Sequence, residues 1–411
     1  MPLYGWLSAE AISLVGTRLS MVALPWFVLT TTGSATRTGL VALAEMLPLV
    51  VLKVLGGPII DRVGARRISI GCDVASVVAV GAIPLLYDAG HLSFVGFLAL
   101  VAVAGALRGP GDAAKQALVP TLVRHAGVPM ERATGLHSTV ERSAGMLGFG
   151  AAGALIAAIG PAPALAVDAA SFGIAAVVLA WSTRSLPRVA RDAPEDDGPY
   201  LDRLRAGWTY LRRDRLLLGL ALMIAVTNLL DLAWSSVLAP VWARESGGGA
   251  AALGLMFAVF AGASALGSLT AAAWAARLPR FRVYVIAFLV VGAPRFALFA
   301  AGVPLWAILT GSVVAGFASG FLNPVLGAVI YERIPDPLVG RVSSLITSLC
   351  YAGMPVGGLL GGLLVSGVGL TGALLACGAA YFLATMAPAV LPAFRELDRR
   401  AIPTPEPARR M

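Results

Sequence analysis

The chain has 411 residues, of which 58% are hydrophobic and only 13% charged, with a net charge of +9. Its mean hydropathy is +0.83. That balance excludes an ordinary soluble domain and predicts an all-α integral membrane protein, since lipid-embedded backbone must satisfy its own hydrogen bonds.

A helical span needs roughly 20 apolar residues, and the sequence offers such segments at about 7–31, 38–60, 68–88, 92–118, 134–158, 162–182, 216–243, 250–276, 283–301, 304–330, 342–366 and 370–391. These are twelve predicted transmembrane helices. The fourth is interrupted by Arg108-Gly109-Pro110-Gly111, which predicts a bent lower end. Glu10 and Arg18 interrupt the first apolar run, so no cleavable signal peptide is expected.

The positive charge does not point to nucleic acid, because it is sorted by side. Most of the basic residues fall in loops and ends on one side, Arg37 and Arg244 fall on the other, and Arg18, Lys53, Arg142 and Arg295 fall within spans. Basic residues are retained in the cytoplasm, so both termini are expected there. The preference for Arg over Lys, with abundant Ala, points to a GC-rich bacterium and hence to its inner (plasma) membrane. Cys72, Cys350 and Cys377 fall in spans without metal-ligand spacing, and neither a disulfide framework nor a metal site is implied.

The division predicted is an N-terminal six-helix bundle (1–182), a cytoplasmic linker (183–215), a C-terminal six-helix bundle (216–391) and a cytoplasmic tail (392–411). In the linker, Arg184, Arg188 and Arg191 precede an acidic stretch over 194–199. Leu201, Leu204, Trp208 and Leu211 then share one helical face, as in an amphipathic helix on the membrane surface. The halves repeat. At one constant offset Pro25 matches Pro240, Gly39-Leu40 matches Gly254-Leu255, Arg62 matches Arg277, and Val119-Pro120 matches Ile334-Pro335. At a slightly smaller offset Ala144-Gly145-Met146 meets Ala352-Gly353-Met354, and Gly153 meets Gly361. An even number of spans per half makes the repeat parallel, about an axis along the membrane normal.

Between the second and third spans lies a compact charged loop containing Gly57, Asp61, Arg62, Gly64, Arg66 and Arg67. Gly57-Pro58 ends a helix, and Gly64 supplies a turn that would strain a side chain. Asp61, an acid among arginines, either holds the loop to a neighbouring helix in one conformation and releases it in another, or is a stray acid in a positive-inside loop. In the second repeat Ala276 stands where Asp61 would be.

This loop fills every fixed place of the pattern between helices two and three of the major facilitator superfamily, and the chain resembles that family across nearly all of 7–391. It is similar to the drug-efflux, macrolide-efflux-like branch at Ser13-Leu14-Val15-Gly16, Thr32-Gly33-Ser34-Ala35, Asp73, Pro110 through Ala117-Leu118-Val119-Pro120, and Gly340-Arg341-Val342. The fifth span departs from it: Gly145, Gly148, Gly150 and Gly153 give a close-packing surface, but the Gly-Pro pair of antiporters is absent and Pro355 stands in the repeat copy. The resemblance implies secondary active export of amphipathic small molecules by alternating access, in exchange for protons, by a monomer needing no cofactor beyond the proton gradient. A lipid or siderophore exporter of the same fold is the alternative within transport. A non-transporting membrane receptor or structural subunit is the alternative outside it, and the short loops offer such a role little.

Ionisable groups within spans are costly and mark function. Asp231, Glu45 and Asp168 are the candidates for proton coupling. Asn228, Asp231, Trp234 and Ser235 form one stripe of the seventh span, either a cavity wall or a carboxyl satisfied within its own half. Arg18 either holds an anionic group in the central cavity or pairs with Glu45. Trp26, Asn228, Trp234 and Met354, with Phe27, Phe257 and Phe260, are candidate lining for an apolar pocket. Lys53, Glu141 and Arg142 lie nearer the cytoplasm, suiting a gate or packing network. Arg108 and Asp112 are spaced to bond each other, and Asp73 is placed to position the charged loop. Scattered His91, His125 and His137, and the lack of a phosphate-binding loop, speak against an enzyme.

Overall fold

A computed structural model describes residues 2–186, 200–274, 277–335 and 338–398, and among these there is no strand. The first half contains α1 (Pro2–Thr32), α2 (Ala35–Leu55), the short α3 (Gly57–Val63), α4 (Ala65–Asp88), α5 (Phe94–Ala117), the short α6 (Val119–Ala126), α7 (Met130–Ile159) and α8 (Pro161–Ser182). After α9 (Tyr200–Arg213) come α10 (Arg215–Ala233), a π-helical turn over Trp234–Leu238, α11 (Ala239–Glu245), α12 (Gly249–Trp274), α13 (Arg280–Val291), α14 (Ala293–Ala300), α15 (Leu305–Arg333), α16 (Val339–Ala352), α17 (Met354–Met386) and α18 (Pro392–Arg395). Of 11 stretches long and apolar enough to cross a membrane, the last, Arg341–Val390, holds two passes. Gly369 breaks it, with φ 72° and ψ 172°, a conformation open to glycine alone. The crossings among the described residues therefore number twelve, six in each half.

Two local expectations need correction. The second span stops at Leu55, not at residue 60, because Pro58 stands in the first turn of a new helix, α3. The charged loop is thus mostly this helix, and the actual turn is at Gly64, with φ 97°. The Arg108–Gly111 stretch, where a bent lower end is expected, lies within α5, which remains helical through Pro110. A Cβ on Gly109 would meet Lys53 N at 2.9 Å, and one on Gly111 would meet Cys72 Cβ at 3.1 Å. Those glycines let α2 and α4 approach closely, and close neighbours help a membrane helix tolerate proline.

In the first half α1 packs against α7 and α8, α2 against α5, and α4 against α5 and α8. In the second, α10 packs against α16 and α17, α12 and α13 against α15, and α14 against α17. The halves meet chiefly along two seams, α2 with α17 and α7 with α12. Repeat-matched residues make those seams: Gly39 abuts the Gly358 carbonyl, one turn from Gly361, and Gly254 abuts the Gly153 backbone. Without hydrophobic driving force between helices in lipid, such backbone approach through small residues supplies the packing.

The predicted surface helix is α9, though its burial differs from the expectation. Leu211 is fully buried among Leu217, Ala221, Val342 and Ile346, and a Cβ on Gly207 would touch Leu345 at 3.0 Å, so this end docks onto α16. Trp208 remains 40% exposed. Arg188, Arg191, the acidic stretch, Ala276 and the end of the tail lie outside the described residues, as do the side chains of Leu201 and Leu204.

Candidate functional site

A cavity of about 790 Å³ lies between the halves. Helix direction alternates along the chain, so Leu29, Gly39, Gly153, Gly254 and Arg244 all lie at one end of the molecule, opposite the charged loop. There the halves are sealed by the glycine contacts and by Arg244, which donates to the Leu29 carbonyl at 3.0 Å. The cavity wall runs from Met256, Phe299 and Ser312 near the seal to Ser138, Glu141, Gly327 and Ile330 near the charged-loop end.

Asp231 is on this wall with Asn228, Trp234 and Ser235, so the predicted stripe faces the cavity. Its carboxylate also pairs with Arg295, from its own half, and both sequence alternatives therefore describe Asp231. Its side chain is 42% exposed and that of Arg295 14%. Arg295 stands where α13 breaks at Gly292 and Pro294 starts α14, and its guanidinium lies 4.7 Å from the Phe296 ring centre and 5.0 Å from that of Tyr381. On the other side the π turn begins at Trp234, three residues after Asp231. Pro240 lacks the donor for an ordinary helical bond, and Ala239 N bonds instead to Trp234 O, one residue wider than α-helical spacing. Asn228 donates to the Cys350 carbonyl at 3.0 Å.

Arg18 reaches the same cavity from α1. It does not pair with Glu45, which is bound to Arg108 at 2.7 Å. Arg108 therefore does not bond Asp112 either: Glu45 on α2 offers a carboxylate across the helix interface. Arg18 instead donates to the Met21 sulfur at 3.3 Å and lies over the Phe149 ring, 5.4 Å from its centre. Gly148 makes room for its stem, since a Cβ there would sit 2.9 Å from Arg18 Cβ. Glu141 and Arg142, expected in a gate or packing network, line the cavity itself.

Four candidates lie elsewhere. Asp168 is fully buried between α1 and α8, accepting bonds from Ser20 and Ser171, and has no face on the cavity. Glu45 is covered by Arg108 in the first half. Trp26 packs on the core, and Met354 packs with Met46, Leu49 and Leu232; neither lines the cavity. Of the remaining aromatic candidates, Phe257 and Phe260 line it, whereas Phe27 packs against Tyr87 and Phe97. Asp73, expected to position the charged loop, pairs with Lys115 at 3.0 Å, and Lys115 donates to Ser13 at 2.9 Å. Lys115 stands at the end of the fourth span, and α5 carries it inward to 2% exposure. Glu10, also buried, lies within electrostatic range of this pair.

At the charged-loop end, Arg66 donates to Thr183 Oγ1 at 2.9 Å and to the Ala180 carbonyl at 2.8 Å, fastening the start of α4 to the C-terminal end of α8. Asp61, Arg62 and Arg67 are exposed, and Gly57 has open space where a side chain would stand. The second half has its own polar junction: Arg333 bridges Asp214 at 2.8 Å and Glu396 at 3.0 Å, and Arg280 grips Glu332 at 2.6 and 2.7 Å. Sequence reasoning overlooked Arg295 and Lys115 as site residues, although the rarity of cations within spans would have singled out both.

The sequence profile of the Major Facilitator Superfamily matches residues 6–235 and 221–410. The multidrug efflux pump Tap of Mycobacterium tuberculosis (strain ATCC 25618 / H37Rv) is 29% identical over 400 residues, covering 97% of this chain and 95% of that protein. The pump of the same name from Mycolicibacterium fortuitum is 29% identical over 409 residues, covering 98% of each. Among solved structures, the nucleoside transporter NupG is similar with a TM-score of 0.75 at 13% identity, over 97% of this chain and 100% of that one. A bacterial homologue of the iron transporter ferroportin, in an inward-facing state, has a TM-score of 0.72 at 16% identity, over 97% and 99%. These two likenesses concern the fold.

Proposed function

Because the chain belongs to the major facilitator superfamily, we propose that this multi-pass membrane transporter exports amphipathic, drug-like small molecules in exchange for protons. The observation that carries the reading is the cavity between the halves, sealed at one end by paired glycines and lined by aromatic side chains with a few polar groups. Such a wall suits amphipathic compounds of varied shape. The multidrug efflux pumps at 29% identity support export, and apply to this chain only as relatives.

The basic charged-loop end is the cytoplasmic one on this reading, with both termini on that side of a bacterial plasma membrane. The cavity is then accessible from the cytoplasm, as loading an exporter requires. The working units are a monomer's two bundles (1–182 and 216–391), joined by the linker (183–215) and followed by the tail (392–411); the proton gradient is the sole energy source. Asp231 is the coupling carboxylate: it faces the cavity and has a cation beside it that can stabilise its charged form, while Glu45 and Asp168 are enclosed. The test is a comparison of drug, lipid and siderophore accumulation in cells with and without the protein, followed by reconstitution with an imposed pH gradient. Lower accumulation of amphipathic drugs, and uphill transport in the vesicles, are expected. Equal accumulation at verified expression would defeat the proposal.

A further inference from the structure

We propose, building on that export reading, that the cavity selects amphipathic compounds bearing an anionic group, and that Arg18 is the residue that engages it.

The cavity wall carries three cations, Arg18, Arg142 and Arg295, against two carboxylates, Glu141 and Asp231. Arg295 and Asp231 neutralise each other in direct contact. Arg18 has no such partner: among the described residues no carboxylate lies within ion-pair distance, and its only hydrogen bond goes to the thioether of Met21. A thioether is a weak acceptor, whereas a guanidinium presents five donors in a planar fork. Its Nε is buried and unbonded. A cation held in a largely apolar wall without a carboxylate is costly, and this side chain is specifically accommodated by Gly148 beneath its stem and Phe149 beneath its charge.

The alternative partners are identifiable. Glu141, Asp112 and Arg108 lie within electrostatic range of Arg18, but Glu141 is exposed near the open end and makes no ion pair among the described residues, and Arg108 opposes Arg18's charge. Phe149 also meets Phe257 of the other half, with ring centres 5.2 Å apart, so the cation sits beside an aromatic bridge between the halves. A carboxylate, sulfonate or phosphate placed on the free fork of Arg18 would leave its apolar body among Phe149, Phe257, Phe260 and Trp234. Arg18 thus gives the site a cationic anchor beside an apolar receptor, a combination that favours anionic amphiphiles over neutral and cationic ones.

The experiment uses the purified full chain in nanodiscs and three probes with one fluorophore: dansylglycine (anionic), dansylamide (neutral) and dansylcadaverine (cationic). Dansylglycine is expected to bind about tenfold more tightly than dansylamide, the advantage one charge-assisted contact supplies. Arg18→Gln should abolish that advantage while leaving dansylamide binding within about twofold, and Arg18→Lys should retain part of it. Unchanged thermal unfolding of the variants would show that they are folded. If Arg18→Gln does not fold, the ranking in the parent and in Arg18→Lys still decides. Saturable binding of the neutral and cationic probes without preference for dansylglycine, or a preference that survives Arg18→Gln, overturns the anionic selectivity and leaves export standing. Failure of all three probes to bind would count against the export reading itself.

Discussion

Asp231 and Lys115 show how differently two intramembrane charges can be used. Asp231 is open to the cavity and touches one cation, so losing its charge alters both the aqueous wall and the freedom of Arg295. Asp231→Asn is expected to abolish uphill export driven by a pH gradient in proteoliposomes while permitting downhill flux of a neutral compound; a variant that still concentrates substrate like the parent would make the residue structural. Lys115 is enclosed with Asp73, whose Oδ2 has no hydrogen-bond partner, and with Glu10 nearby. Removing the cation leaves buried carboxylates uncompensated. Lys115→Met should therefore destabilise the folded protein by about 3–5 kcal/mol, and adding Asp73→Asn should restore part of the loss. Thermal unfolding of the two single variants and the double variant measures that coupling, and strictly additive losses would contradict it.

At the scale of elements, the charged-loop end is a joint. Arg66 ties α4 to α8 through the side chain of Thr183 and the carbonyl of Ala180, and Asp61 lies on α3, one turn of chain before the pivot at Gly64. Asp61→Asn is expected to depress transport while leaving equilibrium substrate binding nearly intact, because the residue is remote from the cavity wall. Unchanged transport at normal expression would remove its switching role. The glycine seams are the second movable feature. A leucine at Gly153 has no room against the Gly254 backbone, so Gly153→Leu should wedge the sealed end apart. Spin labels on α7 and α12 at that end would report a longer mean distance, and an unaltered distance in a folded, inactive variant would refute the wedge.

For the whole molecule, sealing at one end and access at the other define one state of an alternating cycle, and the opposite state must close Ser138 towards Gly327. In a chain with Cys72, Cys350 and Cys377 replaced by serine, Ser138→Cys with Gly327→Cys is expected to halt transport on cross-linking and to recover on reduction. A membrane-impermeant maleimide should label either cysteine in inside-out vesicles but not in intact cells. The reverse labelling would invert the orientation proposed for the charged-loop end.

The sequence by itself determined the class, the number of crossings, the two-fold repeat and the cavity-facing stripe from Asn228 to Ser235. These follow from local regularities: apolar length sets a span, basic residues sort by side, and helical period sets a face. It did not determine partners. Glu45 was one of two prospective partners for Arg18, the other being an anionic group in the cavity, and took Arg108 instead; Arg108 had Asp112 four residues away and crossed to α2. Charge pairing inside a bundle depends on which faces meet and at what height, and helix rotation fixes both only after packing. The break at Gly292 that places Arg295, and the π turn that follows Asp231, likewise shift side chains by fractions of a turn. Only the tertiary structure could decide that Asp231 has a partner while Arg18 is left facing the cavity, because that difference arises from the geometry of helices that the sequence places far apart.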